Sequence, residues 1–178
     1  MKFQDIDIQL DSPFHLGEQK IQTHLGVRDK MERFGKKVIR SFMPQQHRDF
    51  YQQLPFIFVG HADELGNPWA SILFDNKLSS GDPQKAASFI DSPNDKTLNI
   101  NAMPVTGDPL INSLKSGTKL GLLGIELTTR RRNRLAAHIK SVTSDMLSLE
   151  VDQSFGNCPQ YIQNRELVAD AASLPTAK

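Results

Sequence analysis

One cysteine, one tryptophan and two tyrosines in 178 residues are the scarcities that bound this chain. The lone cysteine, Cys158, has no internal partner, which excludes the small secreted scaffolds held by several disulfides. Charge of neither sign is in surplus, since 21 Lys and Arg stand against 20 Asp and Glu for a formal net charge of +1. Binding along a nucleic-acid backbone draws on a broad basic excess, so a nucleic-acid partner is not expected. No apolar run approaches the roughly 20 residues that cross a bilayer, and the opening MKFQDIDIQLD lacks the apolar core of a signal peptide. The expectation is a cytoplasmic protein without a membrane partner. Histidine is scattered as His15, His24, His47, His61 and His138 with no paired cysteine, so no metal site is expected.

What is present falls into two parts. Residues 12–54 read as helical, and almost everything after Pro55 reads as strands joined by turns. This gives an expected helical segment, 1–54, packed on a domain of 55–178, the two forming one structural unit. Ser12 and Pro13 suit a helix start and Gly26 a stop, after which Val27, Met31, Phe34, Val38 and Phe42 recur at spacings of four, three, four and four. That period predicts one buried helical face. PQQHRDFYQQL predicts a further short helix that delivers Phe50 and Leu54 to a core.

PFIFVG and PWASILF flank the turn-rich HADELGN and predict a hairpin. The polar stretch 76–85 predicts a loop, followed by strands ASFID and TLNINA separated by SPND. GDPLINSLKSG predicts a helix of about two turns, capped by Asp108 and stopped by Gly117. TKLGLLGIELT, RNRLAAHIKSVT and DMLSLEVDQSF are three more strands, and NCPQYIQNREL predicts a closing helix with Asn157 as its cap. The class is mainly β with α, an α+β fold, and the even strand spacing favours a small closed or nearly closed barrel.

The stretch from Gly121 to Arg134, GLLGIELTTRRRNR, sets a small-residue apolar strand against four arginines within five positions. Guanidinium groups match phosphate oxygens two at a time, and neighbouring glycines let a flat ring approach the backbone. A solvated turn would carry the same charges. On a regular strand Arg130, Arg132 and Arg134 share one face and Arg131 and Asn133 the other, so one set alone would grip a ligand. Gly156 would permit an unusual backbone angle, and a helix beginning at Asn157, Cys158 and Pro159 would offer free N–H groups to an anionic edge. No second cysteine or nearby histidine supports a catalytic thiol at Cys158. Asp63 and Glu64 at the hairpin turn read as ordinary solvated carboxylates.

The segments GVRDKMERFGKKVIRSFMPQQHRDF, LPFIFVGHADELGNPWASIL, TGDPL, GLLGIELTTRRRNRL and SFGNCPQYIQNR together resemble the pyridoxamine 5'-phosphate oxidase-related flavoproteins of the FMN-binding split-barrel branch. The likeness runs from about Phe14 to Arg165. It implies a six-stranded antiparallel split barrel preceded by N-terminal helices, and a homodimer with FMN in clefts at the subunit interface. It also implies an oxidoreductase acting on a small-molecule substrate. Some members are fused to ferredoxin-reductase-like domains, which implies a ferredoxin-like or reductase redox partner. Carried over by position, Trp69, Ala70, Ser71 and Ile72 line the flavin ring and ribityl chain, and Ile100 and Asn101 lie on the next lining strand. Gly124 and Ile125 fall near the cleft, and Arg130, Arg132 and Arg134 meet the phosphate and ring edge, with Asn157, Cys158 and Pro159 nearby. Trp69 serves equally as a core aromatic, and Ser71 as a solvent-facing residue. If Trp69 and Ser71 meet the flavin, alternation sends Ala70 and Ile72 to the core. The resemblance names no catalytic side chain. A flavin or heme carrier without turnover, and a module that grips a polyanion or partner, are the alternatives. The longer link FDNKLSSGDPQKAASF, and Ala136 and Ala137 after the arginines, depart from the family pattern.

Overall fold

The structure is a computed structural model that describes residues 11–75, 89–156, 158 and 160–166. Two compact units divide between Arg40 and Ser41.

The first unit is a helical hairpin of α1 (Leu16–His24) and α2 (Arg28–Val38), with Gly26 at φ 68 in the turn. The first helix starts at His15 and not at Ser12. The His15 ring accepts from Gly17 N and Glu18 N while the Glu18 carboxylate accepts from His15 N, a reciprocal cap with histidine in the serine role. Ser12 is drawn elsewhere, its hydroxyl donating to Glu32 at 2.6 Å. The expected apolar face of α2 is overturned. Phe34 is 57 % exposed, and the buried positions are Glu32 and Gly35. Glu32 is pulled inward by Arg28 at 2.7 Å, while a side chain at Gly35 would collide with the Phe14 ring. Because α2 stops at Val38, Phe42 lies beyond it.

The second unit begins with α3 (Gln45–Gln52). It is helical as expected, but it belongs to the same compact unit as the sheet, because Phe50, Tyr51 and Leu54 are part of the core. The strands are β1 (Phe56–Ala62), β2 (Pro68–Phe74), β3 (Ile90–Asn94), β4 (Thr97–Ile100), β5 (Lys119–Glu126), β6 (Arg131–Val142) and β7 (Leu147–Gly156). They form one sheet of seven strands, not six, in the order β2-β1-β5-β6-β7-β4-β3, with every neighbouring pair antiparallel. The architecture is thus α+β, and its hydrogen-bonded neighbours run in a line from β2 to β3 among the described residues.

Alternation builds the core. Ile57 and Val59, Leu120 and Leu122, Leu135, Ala137 and Ile139, and Leu149 and Val151 point to one face, in one core with Phe50, Tyr51 and Leu54 of the α3 segment. The sequence puts Pro93 in the turn between the third and fourth strands, yet it lies within β3. The reversal falls on Asp95 and Lys96, and β3 tolerates proline because it is an edge strand whose register shifts between Asp91 and Asn94. The segment capped by Asp108 is a 3-10 helix, Pro109–Ser113, that stops short of Gly117.

The expected C-terminal helix is absent from the described residues. Residues 160–166 form a turn and irregular chain, and Tyr161 at φ 72 is incompatible with a continuing helix. The expected loop at 76–85 and the residues Asn157 and Pro159 lie outside the described residues. Among the described residues, no helix is long and apolar enough to cross a membrane.

Candidate functional site

The β5–β6 hairpin pairs Ile125 with Arg132 and Glu126 with Arg131, which carries the arginine run to the end of the sheet. Arg130 sits in the left-handed region at φ 60, a conformation in which the chain reverses sharply. Beside the hairpin, α3 supplies Gln46 and His47. Together with Thr129, Arg130, Arg131, Arg132, Asn133 and Gly156 they line a cavity of about 330 Å³.

Each arginine is held differently. The Arg131 guanidinium lies 5.1 Å over the Phe50 ring, and its Nη2 donates weakly to Gln46 O at 3.5 Å. Arg132 Nη2 donates to Cys158 O at 2.9 Å, whereas its Nε is buried and has no hydrogen-bond partner among the described residues. No carboxylate lines the cavity among the described residues. The nearest acidic group on the hairpin, Glu126, accepts a hydrogen bond from Thr129 Oγ1. At the back of the cavity His47 Nδ1 stands 2.6 Å from Ser154 Oγ, which is fully buried. At Gly156 an added Cβ would make an ordinary contact with Asn133 Oδ1 at 3.4 Å. The expected unusual backbone angle is not found there, because its φ is not in the left-handed region.

Of the residues expected at a ligand, the structure gathers Arg130, Arg132 and the Cys158 carbonyl here. Strand parity does not divide the arginines as expected. Arg131 and Asn133 line the cavity together with Arg130 and Arg132, because the site is at the strand end, where side chains of both faces reach past the turn. Arg134 lies outside it, exposed between Leu123 and Phe155 on the outer face. Gln46, His47 and Thr129 join the site without a signal in the sequence. Nothing in PQQHRDF distinguishes a helix that lines a cavity from one that only fills a core.

The remaining residues are placed elsewhere. Trp69 is 45 % exposed at the hairpin end of β2, its Nε1 bonded to Asp63. The three residues that follow reverse the expected parity. Ser71 is buried and donates to Asp108 at 2.6 Å, while Ala70 and Ile72 are exposed. Ile100 is fully buried in the core, and Asn101 N donates to Phe89 O at 2.8 Å. Gly124 does not serve a flat ring, because its bare face is filled by Leu54, Phe50 and Tyr51 of the α3 segment. Ile125 is half-buried. By register Trp69 lies opposite His61, one step beyond the Gly60–Gly121 pair, which sets it roughly 17 Å along the strands from the Arg132 row. One chain therefore does not bring Trp69 to the arginine cavity.

The outer face of the sheet carries a second feature. Ile72, Phe58, Leu123, Arg134 and Phe155 stand in one cross-strand row, and Ala70, Gly60, Gly121 and Ala136 in the next. Phe58 and Ile72 are exposed, and a Cβ added at Gly121 would meet only Gly60 O, at 4.0 Å. The result is a shallow apolar shelf with accessible backbone and a cation at one side.

No family model and no curated protein matches this chain. Among solved structures, the crystal structure of Group A Streptococcus HupZ, carrying V5 and hexahistidine tags, is similar, at 15% sequence identity and a TM-score of 0.46, covering 70% of this chain and 99% of that one.

Proposed function

We propose that this chain binds FMN as a flavoprotein of the pyridoxamine 5'-phosphate oxidase-related kind and acts as an oxidoreductase on a small molecule. The observation that carries this reading is Arg132 Nε, a buried donor without an acceptor among the described residues, beside Arg130 and Arg131 in a cavity with no carboxylate in its described lining. Leaving such a donor unpaired costs about 1 to 3 kcal/mol, and a phosphate oxygen is an acceptor that suits its charge. In this reading Arg130, Arg131 and Arg132 hold the phosphate. The shelf around Gly60, Gly121, Phe58 and Ile72 gives a planar ring an apolar wall and close backbone approach.

When bound, the flavin supplies the redox chemistry. The protein's part is to anchor the phosphate, orient the ring and keep water from its face. An exposed apolar shelf on one chain, and a Trp69 far from the arginines, both favour a homodimer in which a second copy covers the ring and completes the site. The sheet then coils as a split barrel, with the short β3 as an addition at its edge. A ferredoxin-like or reductase partner and a cytoplasmic setting belong to the same proposal.

The test is the visible spectrum of the purified protein. Flavin maxima that bleach with dithionite and return in air are expected, and Arg132→Ala should weaken flavin retention about 10- to 100-fold, the loss of one charge-assisted hydrogen bond. Undiminished retention would remove Arg132 as the anchor. Turnover with a reduced nicotinamide marks an enzyme, and colour without turnover marks a flavin or heme carrier. A colourless protein held by a polyanion in a salt-dependent way would replace the proposal with a polyanion-binding module.

A further inference from the structure

Building on the reading of the arginine cavity as a phosphate site, we infer that Asn133 is its specificity-determining residue. It reads a hydroxyl group beside the phosphate, so the site selects hydroxylated phosphate monoesters over a phosphate borne on a bare alkyl chain. Asn133 is only 8% exposed, yet it lines the cavity. It opens the buried row that Leu135, Ala137 and Ile139 continue along β6, a row that alternation otherwise gives to apolar side chains. Its cross-strand neighbours are Gly124 of β5 and Gly156 of β7, and neither has a side chain to offer it. Among the described residues its carboxamide makes no hydrogen bond. A buried amide is a cost to the fold unless a partner meets it, and here the partner has to enter through the cavity.

The groups around the amide decide what that partner is. Arg130, Arg131 and Arg132 are donors only, and they suit the oxygens of a phosphate, which are acceptors. The carboxamide offers both kinds, two N–H donors and one acceptor oxygen, whichever way it is turned. A dianionic phosphate takes up donors and leaves that oxygen unmatched. A hydroxyl on the chain next to the phosphate supplies the missing proton, and its own oxygen accepts from the same amide. Other lining side chains serve this less well: the Thr129 hydroxyl already donates to Glu126, His47 stands against Ser154, and Gln46 is exposed, where water competes. The phosphate end of the FMN side chain carries such a hydroxyl, and so does a free polyol phosphate.

Glycerol 3-phosphate and n-propyl phosphate are the probes, because at pH 8 both are dianions on a three-carbon chain and they differ in their hydroxyl groups. Calorimetric titration of the full chain should show glycerol 3-phosphate bound about 3- to 10-fold more tightly, the net worth of one neutral hydrogen bond. Asn133→Leu, which keeps the volume and removes the amide, should bring the two esters within about twofold, chiefly by weakening glycerol 3-phosphate. Arg132→Ala should weaken both by one common factor. If the hydroxyl belongs to the flavin chain, Asn133→Leu should weaken FMN by the same 3- to 10-fold; unchanged FMN binding with the ester preference lost assigns the hydroxyl to a free polyol phosphate. The preference on the unaltered chain tests the inference even if the variant does not fold. Equal binding of the two esters by the unaltered chain, or a preference that survives in Asn133→Leu, overturns the role of Asn133, and the phosphate site still stands where Arg132→Ala weakens both. No saturable binding of either ester overturns the inference, and if FMN does not bind either, the phosphate site falls with it.

Discussion

Asp63 accepts a hydrogen bond from Trp69 Nε1 at 3.0 Å across the tip of the β1–β2 hairpin. The same carboxylate accepts from Asn67 Nδ2 at 2.9 Å and from the backbone N–H groups of Leu65 and Asn67. The Trp69 bond first, and then Asn67, hold its pKa at about 2, below an ordinary value of 3.8. A folded-state pKa below the unfolded one means that this contribution is complete above pH 4 and is lost as pH falls toward 2.

Trp69 is the only tryptophan, so its emission reports this one contact. The emission should be constant from pH 7 to 4 and change between pH 4 and 2, and Asp63→Asn should abolish that acid step. A midpoint near pH 4 in the parent chain would mean that the bond does not form in solution.

Gly124 is closed over by the α3 segment. A Cβ built there would stand 2.7 Å from both Leu54 Cδ1 and Phe50 Cε1 and 3.0 Å from Tyr51 Cε1. All three side chains are buried, with little room to yield. Gly124→Ala should therefore cost about 1 to 3 kcal/mol, read as a lower urea midpoint with an unchanged slope. Gly121→Ala is the control, since its added methyl meets only Gly60 O at 4.0 Å, and its midpoint should move by about 0.5 kcal/mol or less.

The strands are legible in the sequence because they alternate. Leu120 and Leu122, or Leu147 and Leu149, announce a half-buried strand at the residue level, and the hairpin around Asp63 and Asn67 is written in turn formers. The α2 face is not legible. Its buried stripe is Glu32 and Gly35, chosen by an ion pair and by a ring from the preceding segment, and hydrophobic spacing carries no trace of either. The arginines are legible as a cationic cluster, but not which of them converge. That depends on Arg130 turning left-handed and on α3 bringing His47 from a distant part of the chain. Glycine misleads for the same reason: Gly121 and Gly124 look alike in GLLGIE, yet one faces open space and the other an aromatic cluster.

Glu32 anchors the helical hairpin. Its side chain is only 10% exposed and meets Arg28 at 2.7 Å, Lys36 at 3.2 Å and Ser12 at 2.6 Å. Removing Glu32 deletes its charge-assisted bonds to Arg28, Lys36 and Ser12 at once, at about 1 to 3 kcal/mol. Glu32→Ala should thus accelerate amide exchange across residues 16–38 while protection in β5, β6 and β7 is retained. Uniform loss of protection in both units would show that the ion pair acts on the whole chain.

His61 lies on the core side of β1, 7% exposed, and both of its ring nitrogens are buried without a hydrogen-bond partner among the described residues. Its neighbours on that face are Val59 and Ile57, so the imidazole occupies a place that alternation reserves for an aliphatic residue. An unmade hydrogen bond at a buried polar atom costs about 1 to 3 kcal/mol, and replacing the group by an apolar one of similar volume removes that cost. His61→Leu should accordingly leave the urea midpoint unchanged or raise it, whereas His61→Ala should lower it by opening a cavity. Flavin retention should be the same in both variants, because His61 lines neither the arginine cavity nor the outer shelf. A loss of more than about 1 kcal/mol in His61→Leu would mean that the ring is satisfied by a buried water, and His61→Gln should then recover most of it.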